Sequence, residues 1–329
     1  MGTSYSITLH SEVDSNDLFV KASDILNVIN QEMSTYIDDS LISQVNRSEI
    51  GEWTVVSKDF IDILSYATKL CFESDGIYDV SIGKLVNLWG FGPGEVKNTP
   101  SENQLKYLTS QVGCDSVELD TLSSTVRRMK DIELDFSSIA KGFAIDKVYE
   151  FLIDQKHLNS FFIELGGEIR STKYKSNLKS WKTGVINPLE PERLIYTFLS
   201  SDYESFAMAT SGDYRNVRIL DGQELSHTIN PSTGIPSNYS KKSVSVISES
   251  GMIADALATT LNAMSVNKAL NFANINGIFV VLMSIIAVMS IGVLFGKKPI
   301  SGSCGGLSGL EPGRECELCG RDPTQCVEQ

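Results

Sequence analysis

Apolar residues recur along most of the chain with one of two periods. Residues 4–9 and 53–56 alternate apolar and polar positions, as half-buried strands do. Residues 17–36 and 58–73 carry apolar positions three and four apart, the period of an amphipathic helix. Short strand patterns follow at 161–165, 182–186, 205–209 and 243–247, and residues 251–264 form a helix with Ser250 placed to cap it. The strands are unevenly spaced, several have no helix between them, and no internal repeat is evident. This pattern predicts an α+β fold with largely antiparallel sheets rather than a doubly wound parallel sheet.

The pattern changes near residue 269. Residues 269–296 include no charged side chain, a run of 28. Its core, residues 278–295, is apolar at 15 of 18 positions, with Ser284, Ser290 and Gly292 as exceptions. As a helix, that core would be about 27 Å long, close to the hydrocarbon thickness of a bilayer. A buried helix of that length would show a polar stripe. A single transmembrane helix over residues 276–296 is therefore expected. Lys297 and Lys298 follow at once and place that end in the cytoplasm. Residues 1 to about 270 then lie outside it, in the periplasm of a Gram-negative source, with the chain held in the inner membrane. The opening MGTSYSITLH has neither a basic nor an apolar signal-peptide region. The expectation is that an export signal is missing from this start.

Composition divides the chain in the same place. Lys plus Arg is 28 and Asp plus Glu is 41, a net charge of −13, which excludes the basic footprint of a nucleic-acid binder. Residues 297–329 hold four basic and five acidic side chains, so the acidity belongs to the first domain. Six cysteines are too few for a disulfide-built scaffold of this size. Cys71 and Cys114 stand apart, whereas Cys304, Cys316, Cys319 and Cys326 crowd the last 26 residues. Their spacing, C-x11-C-x2-C-x6-C among glycines, suggests a tetrathiolate site for iron or zinc. An unligated or redox-active tail is the competing reading.

The chemistry-bearing residues of the first domain sit in turns. Leu165-Gly166-Gly167-Glu168 follows an apolar strand, as a tight turn or as backbone that approaches a ligand closely. Residues 211–216 (SGDYRN) read as a solvated hairpin tip or a ligand loop. His227 is flanked by hydroxyls in the turn-rich segment 226–234; a structural role and a chemical one both remain open. Residues 134–142 resemble a strand that enters a helix through small residues, a geometry able to host phosphate. On the helix at 251–264, Asp255 and Thr259 lie four apart on one face among small apolar neighbours. A carboxylate buried there needs a partner. Either a hard cation supplies it, or the first turn of the carboxylate's own helix does.

Together these segments resemble one family. MGTSY (1–5), MSTYIDDSLISQVNR (33–47), SDGIYDVSIGKLVNLWGFGP (74–93), LDFSSIAKGFAID (134–146), IELGGEIR (163–170), ATSGDYRN (209–216), HTINPSTGIP (227–236) and ADALATTL (254–261) are similar, in order, to the motifs of the ApbE flavin transferases. The resemblance covers residues 1 to about 273. It implies an ApbE-like, T-fold-like architecture and a Mg²⁺-dependent transfer of FMN from FAD to a threonine hydroxyl of a target protein. It further implies that Asp255 and Thr259 are side-chain ligands of Mg²⁺, with Ala140 and Ala258 at contributing positions. Met1, Tyr36, Ile77, Tyr78, Asp79 and Ser137 fall on positions that contact FAD. His227 is the implied base that takes the threonine proton. Asn230 departs from the family's usual Asp. The early end of the match, at 272–273, implies that final strands are missing.

The segment from about residue 276 to 329, with GKKPI-x-GSCGGL and CELCG, resembles NqrM, a membrane protein that matures the sodium-translocating NADH:quinone oxidoreductase. That complex carries FMN on threonines, so both halves imply one client, with acceptor subunits as partners. Two other readings compete with the transferase. One is an FAD pyrophosphatase that releases FMN and AMP, and the other is a non-catalytic assembly or FAD-binding factor.

Overall fold

The computed structural model describes residues 2–283, apart from 10–14, 95, 97–98, 188–191, 214–216, 221 and 237–242. Met1 and the four tail cysteines lie outside the described residues, as does the apolar run from Ser284 onward. The helices are α1 (Ser15–Met33), α2 (Leu41–Arg47), α3 (Lys58–Glu73), α4 (Gly83–Leu88), α5 (Glu102–Gln111), α6 (Ala140–Glu150), α7 (Gly251–Ala263) and α8 (Val266–Ile275). The strands are β1 (Tyr5–Leu9), β2 (Thr54–Val55), β3 (Val117–Asp120), β4 (Thr125–Arg128), β5 (Phe161–Leu165), β6 (Glu168–Ser171), β7 (Lys182–Ile186), β8 (Leu194–Leu199), β9 (Phe206–Gly212), β10 (Val217–Leu220), β11 (Gln223–Ser226), β12 (Ser243–Ser248) and β13 (Phe279–Met283).

Six strands form the main sheet in the order β1-β5-β6-β9-β12-β13, antiparallel throughout. Smaller sheets are β2-β4-β3, β7-β8 and β10-β11. The α+β class with antiparallel sheets is thus the one the strand spacing predicts. Helices α6 and α7 pack on each other and on the main sheet. Their contact depends on two glycines. A Cβ on Gly142 would fall 2.2 Å from the Gly251 carbonyl oxygen, and one on Gly251 would fall 2.7 Å from the Gly142 oxygen. Only glycine lets the two backbones meet there. Phe136, Ile139, Ala144, Ile145, Ala254 and Leu261 fill the surrounding core.

Two predicted elements end differently. The helix expected over 17–36 stops at Met33, and the following turn carries Tyr36, whose backbone N–H reaches the Ser34 hydroxyl at 3.3 Å. The second difference is larger. The sequence resemblance and pattern predict a domain that ends at about residue 273, with final strands missing, and a membrane helix from residue 276. In the structure, Asn276 and Gly277 (φ +63°) end α8, and the next residues form β13. That strand pairs along β12, with Val280 opposite Val246. An Asn-Gly stop followed by aromatic and β-branched residues favours an edge strand over helix. The first compact unit accordingly ends at Met283. Among the described residues no helix is long and apolar enough to cross a membrane.

Candidate active site

A cavity of about 1110 Å³ opens where α7, the start of α6 and the β5–β6 turn meet the loops. Tyr36, Ile77, Tyr78, Asp79, Ser137, Ala140, His227, Asp255 and Thr259 all line it. The structure therefore brings together in one place nine residues that the sequence spreads over more than two hundred positions. Ala258 is one residue from Thr259 on α7, but its side chain is buried in the core rather than on the cavity wall.

The helix wall carries the charge. Ser250 caps α7, its hydroxyl accepting from the Ile253 N–H at 3.3 Å. Asp146 of α6 takes the other donors of that turn, the N–H groups of Gly251 (2.7 Å) and Met252 (3.0 Å) and the Ser250 hydroxyl (2.6 Å). The first turn of α7 thus has its anion without Asp255, so the reading of Asp255 as a partner of its own helix end is set aside. Asp255 instead points across to α6, where its Oδ2 accepts from the Gly142 N–H at 3.0 Å. Burial pushes its carboxyl up; the charge of Lys141 and the Gly142 N–H oppose this.

Beside it, Lys141 forms an ion pair with Glu168, which is 2% exposed at the end of the β5–β6 turn. Gly166 and Gly167 turn this corner at φ +59° and +102°, so the segment is a tight turn, and Gly166 lines the cavity. Burial first, and then the Asp255 charge, push the Glu168 carboxyl up to about 7. Glu168 Oε2 has no hydrogen-bond partner among the described residues.

A small hard cation fits this corner. Two buried carboxylates share one lysine, one carboxylate oxygen is orphaned, and Thr259 and Ala140 line the same cavity. Among the described residues no three His, Cys, Asp or Glu side chains cluster as a metal site. Mg²⁺ does not require such a cage, because it is commonly held by one or two carboxylates together with water and substrate phosphates.

The loop wall is held mainly by hydrogen bonds. The Tyr78 hydroxyl accepts from Ser138 Oγ at 3.1 Å, and the Tyr78 N–H donates to Ser74 Oγ at 3.0 Å. Burial pushes the Tyr78 phenol up, and burial likewise raises Asp79, whose Oδ1 accepts from the Ser81 N–H at 2.8 Å. Ser81 Oγ in turn accepts from the Gly113 N–H at 3.2 Å, next to the Cys71–Cys114 disulfide. The Tyr36 hydroxyl donates to the Phe91 carbonyl at 2.9 Å. Ser137 follows Asp135, whose Oδ1 accepts the Ser137 N–H at 2.7 Å. His227 is half-buried at the end of β11. In the turn that follows, Asn230 Oδ1 accepts from the Ser232 N–H (2.9 Å) and hydroxyl (2.7 Å). Among the described residues the Asn230 side chain acts there as an acceptor, which an Asp would also do.

In the sequence, Lys141, Glu168 and Asp213 stand out only as members of the segments 134–142, 165–168 and 211–216, and Asn262 does not stand out at all. Lys141 and Glu168 lie inside recognisable motifs, and as charged residues next to glycines they carried a signal. No local signal marks the disulfide or Asn262, because their partners are 43 and 49 residues away.

Comparison with known proteins gives the site its family. The model of the "ApbE family" matches residues 1–282, and that of "(Na+)-NQR maturation NqrM" matches 293–329. An FAD:protein FMN transferase of Haemophilus influenzae is 34% identical over 297 residues, 86% of this chain and 84% of the relative. One of Vibrio cholerae is 34% identical over 289 residues, 86% and 85% of the two chains. The solved flavin transferase ApbE from Vibrio cholerae superposes with a TM-score of 0.75 at 32% identity, over 86% of this chain and 91% of that one. The ApbE protein from Thermotoga maritima gives 0.76 at 26% identity, over 90% and 97%. With its motifs gathered around one cavity and the family match reaching into β13, the chain belongs to the ApbE family.

Proposed function

We propose that the chain is a Mg²⁺-dependent transferase that moves FMN from FAD to a threonine hydroxyl of a target protein. The observation that carries this reading is the pairing, within one cavity, of a buried anionic corner (Asp255, Glu168, Lys141) with a loop wall of aromatic and apolar groups (Tyr36, Ile77, Tyr78). The cavity, about 1110 Å³, is at the upper end of ligand-site volumes and suits a dinucleotide.

In this reading Asp255 and Thr259 hold the cation with their side chains, and Ala140 and Ala258 contribute positions beside them. A bound Mg²⁺ supplies charge neutralisation at the pyrophosphate, which phosphoryl-type transfers need more than covalent catalysis. Tyr36, Ile77, Tyr78, Asp79 and Ser137, with Met1 at the N-terminus, hold FAD. His227 takes the proton from the acceptor threonine. The threonine oxygen forms a bond to the FMN phosphorus, the pyrophosphate P–O bond breaks, and AMP leaves with the bridging oxygen. Buried Tyr78 and half-buried Ile77 exclude water from the loop side, which favours the threonine hydroxyl over hydrolysis.

The NqrM match supports a common client, the acceptor subunits of the Na⁺-translocating NADH:quinone oxidoreductase, with iron or zinc at Cys304, Cys316, Cys319 and Cys326. The placement proposed is an inner-membrane protein with the transferase domain in the periplasm and the tail in the cytoplasm. The Cys71–Cys114 disulfide supports an oxidising compartment for the domain. A span that begins at residue 276 and strand β13 draw on the same residues. With β13 in the sheet, the 13 uncharged residues 284–296 would cover about 20 Å as a helix, short of a bilayer's ~30 Å. A membrane-inserted state therefore gives up the β12–β13 pairing.

The test is incubation of the full chain with FAD, Mg²⁺ and a threonine-containing acceptor subunit. Flavin fluorescence on the acceptor in a denaturing gel supports transfer. Free FMN and AMP without labelled acceptor support a pyrophosphatase instead, and FAD binding with neither product supports a non-catalytic factor.

A further inference from the structure

A buried polar bridge lies behind His227. Asn262, fully buried near the end of α7, donates from Nδ2 to Asp213 Oδ1 (2.8 Å) and Thr228 Oγ1 (3.3 Å). The same Asp213 oxygen accepts from Ser226 Oγ at 2.9 Å. Ser226 and Thr228 are the chain neighbours of His227, and the Thr228 N–H closes their turn onto Ser226 Oγ at 3.2 Å. Both flanks of the histidine are therefore tied to one carboxylate and one amide. Asp213 and Thr228 are each 6% exposed, and Asn262 0%. Polar groups so far from water hold their geometry, because breaking one bond strands the partner.

The bridge matters because of where Asn262 stands. Asp255, Thr259 and Asn262 lie at i, i+4 and i+7 of α7, on one face of the helix. The helix that offers oxygens to the cation thus also grips the histidine segment one turn further on. The segment needs such a grip. His227 follows β11, and β10-β11 is a two-stranded sheet outside the main one, a unit that is marginal without outside ties. Arg218 supplies one tie, donating to the carbonyls of Gly90 (2.6 Å) and Val96 (2.7 Å). Leu220 and Leu225 add apolar contacts with Leu85, Trp89 and Ile229, and the Asp213–Asn262 bridge supplies a polar tie at the histidine end.

We infer that Asn262 and Asp213 are positioning residues that set where His227 stands relative to Asp255 and Thr259. The inference rests on the FMN-transfer reading, with His227 as the group that receives the threonine proton. Displacing that group by about 1 Å is enough to slow transfer by up to about 100-fold without touching the FAD-binding wall.

The test uses the full chain with FAD, Mg²⁺ and a threonine-containing acceptor subunit of the Na⁺-translocating NADH:quinone oxidoreductase, with kcat and the KM for FAD measured separately. Asn262→Leu keeps the volume and removes the amide. The expected result is a kcat lowered by about 10- to 100-fold, with the KM for FAD within about twofold of the unaltered chain. Thr228→Val is expected to lower kcat by about 3- to 10-fold, and Thr228→Ser, which restores the hydroxyl, to recover most of that loss. A folded Asn262→Leu chain with unaltered kcat overturns the inference, as does a loss that falls on the KM for FAD alone. Thr228→Ser as impaired as Thr228→Val overturns it too. If Asn262→Leu does not fold, the two Thr228 variants decide. If the unaltered chain labels no acceptor, the transfer reading fails and the inference fails with it; labelling by the unaltered chain with indifferent variants sinks the inference alone.

Discussion

Asp146 and Asp255 face each other across the same helix pair, and both are nearly buried, at 7% and 5% exposed. Their surroundings differ completely. Asp146 accepts from Ser250, Gly251 and Met252 and pairs with Arg170, itself stacked 4.0 Å over Tyr149. Its carboxylate is saturated by donors the fold supplies. Asp255 accepts from the Gly142 N–H and shares Lys141 with Glu168, at the edge of a cavity. Burial alone does not mark a functional carboxylate. A buried carboxylate with too few donors is the informative one, because the missing partner must come from outside the chain.

That contrast breaks most sharply under substitution. Asp255→Asn keeps shape and removes the charge, so FMN transfer is expected to fall by about 10³-fold or more, with no loss of thermal stability. Burial disfavours the charged form there, so losing it does not weaken the fold. Acceptor fluorescence and a melting curve check the two halves; retained activity would remove Asp255 from the cation site. Asp146→Ala should do the reverse. It leaves the Arg170 charge, 12% exposed, without its carboxylate partner and takes the acceptor from the Gly251 and Met252 N–H groups, while the Ser250 cap stays, at a cost of about 3–5 kcal/mol. The drop in melting temperature should be roughly 10 °C, with activity per folded molecule largely kept.

Glu168 gives the comparison a pH axis. Its carboxyl stands at about 7 in the folded chain against an ordinary 4.5. Below pH 4.5 the group is protonated in both states and its contribution to stability is complete. As pH rises toward 7, the unfolded chain ionises first, so stability is lost. Without added divalent cation the loss should approach about 3 kcal/mol by pH 8. Glu168→Gln should flatten the slope of urea-derived stability between pH 4.5 and 8. An unchanged slope would mean that Glu168 titrates normally.

The parts of this molecule that could be read ahead are the ones with short-range signals. Helix α7 announced itself through Ser250, its apolar period and the four-residue step from Asp255 to Thr259. The motif order carried the rest of the cavity, including Tyr36, although Tyr36 sits just past α1 instead of inside it. The helix-end donors to Asp146 and the Gly142 donor to Asp255 carry no local signal, because they come from residues 104 to 113 positions away in the chain; Arg170 is nearer, 24 positions from Asp146. The same holds for the Asp213–Asn262 bridge and for Cys71–Cys114. Strand β13 was misread for a different reason. Absence of charge suits a membrane helix and a sheet edge equally, and the length of the run masks the Asn276-Gly277 stop that the structure shows.

The smallest effect belongs to Asn230, the position where the chain departs from its family's usual Asp. Its side-chain oxygen already receives both donors of Ser232, and its backbone N–H and C=O close the turn onto Ile235 and Gly234 at 3.0 and 2.8 Å. By the rule that separates Asp146 from Asp255, this is a satisfied acceptor on the structural side of the line. Asn230→Asp keeps the accepting oxygen at a half-exposed turn, so stability should move by less than about 0.5 kcal/mol. FMN transfer should stay within about twofold, because nothing at this position calls for a partner from outside. A gain of tenfold or more in transfer would show that the carboxylate charge works on the reaction itself. Donor saturation would then fail as the mark that tells structural from functional groups at this site.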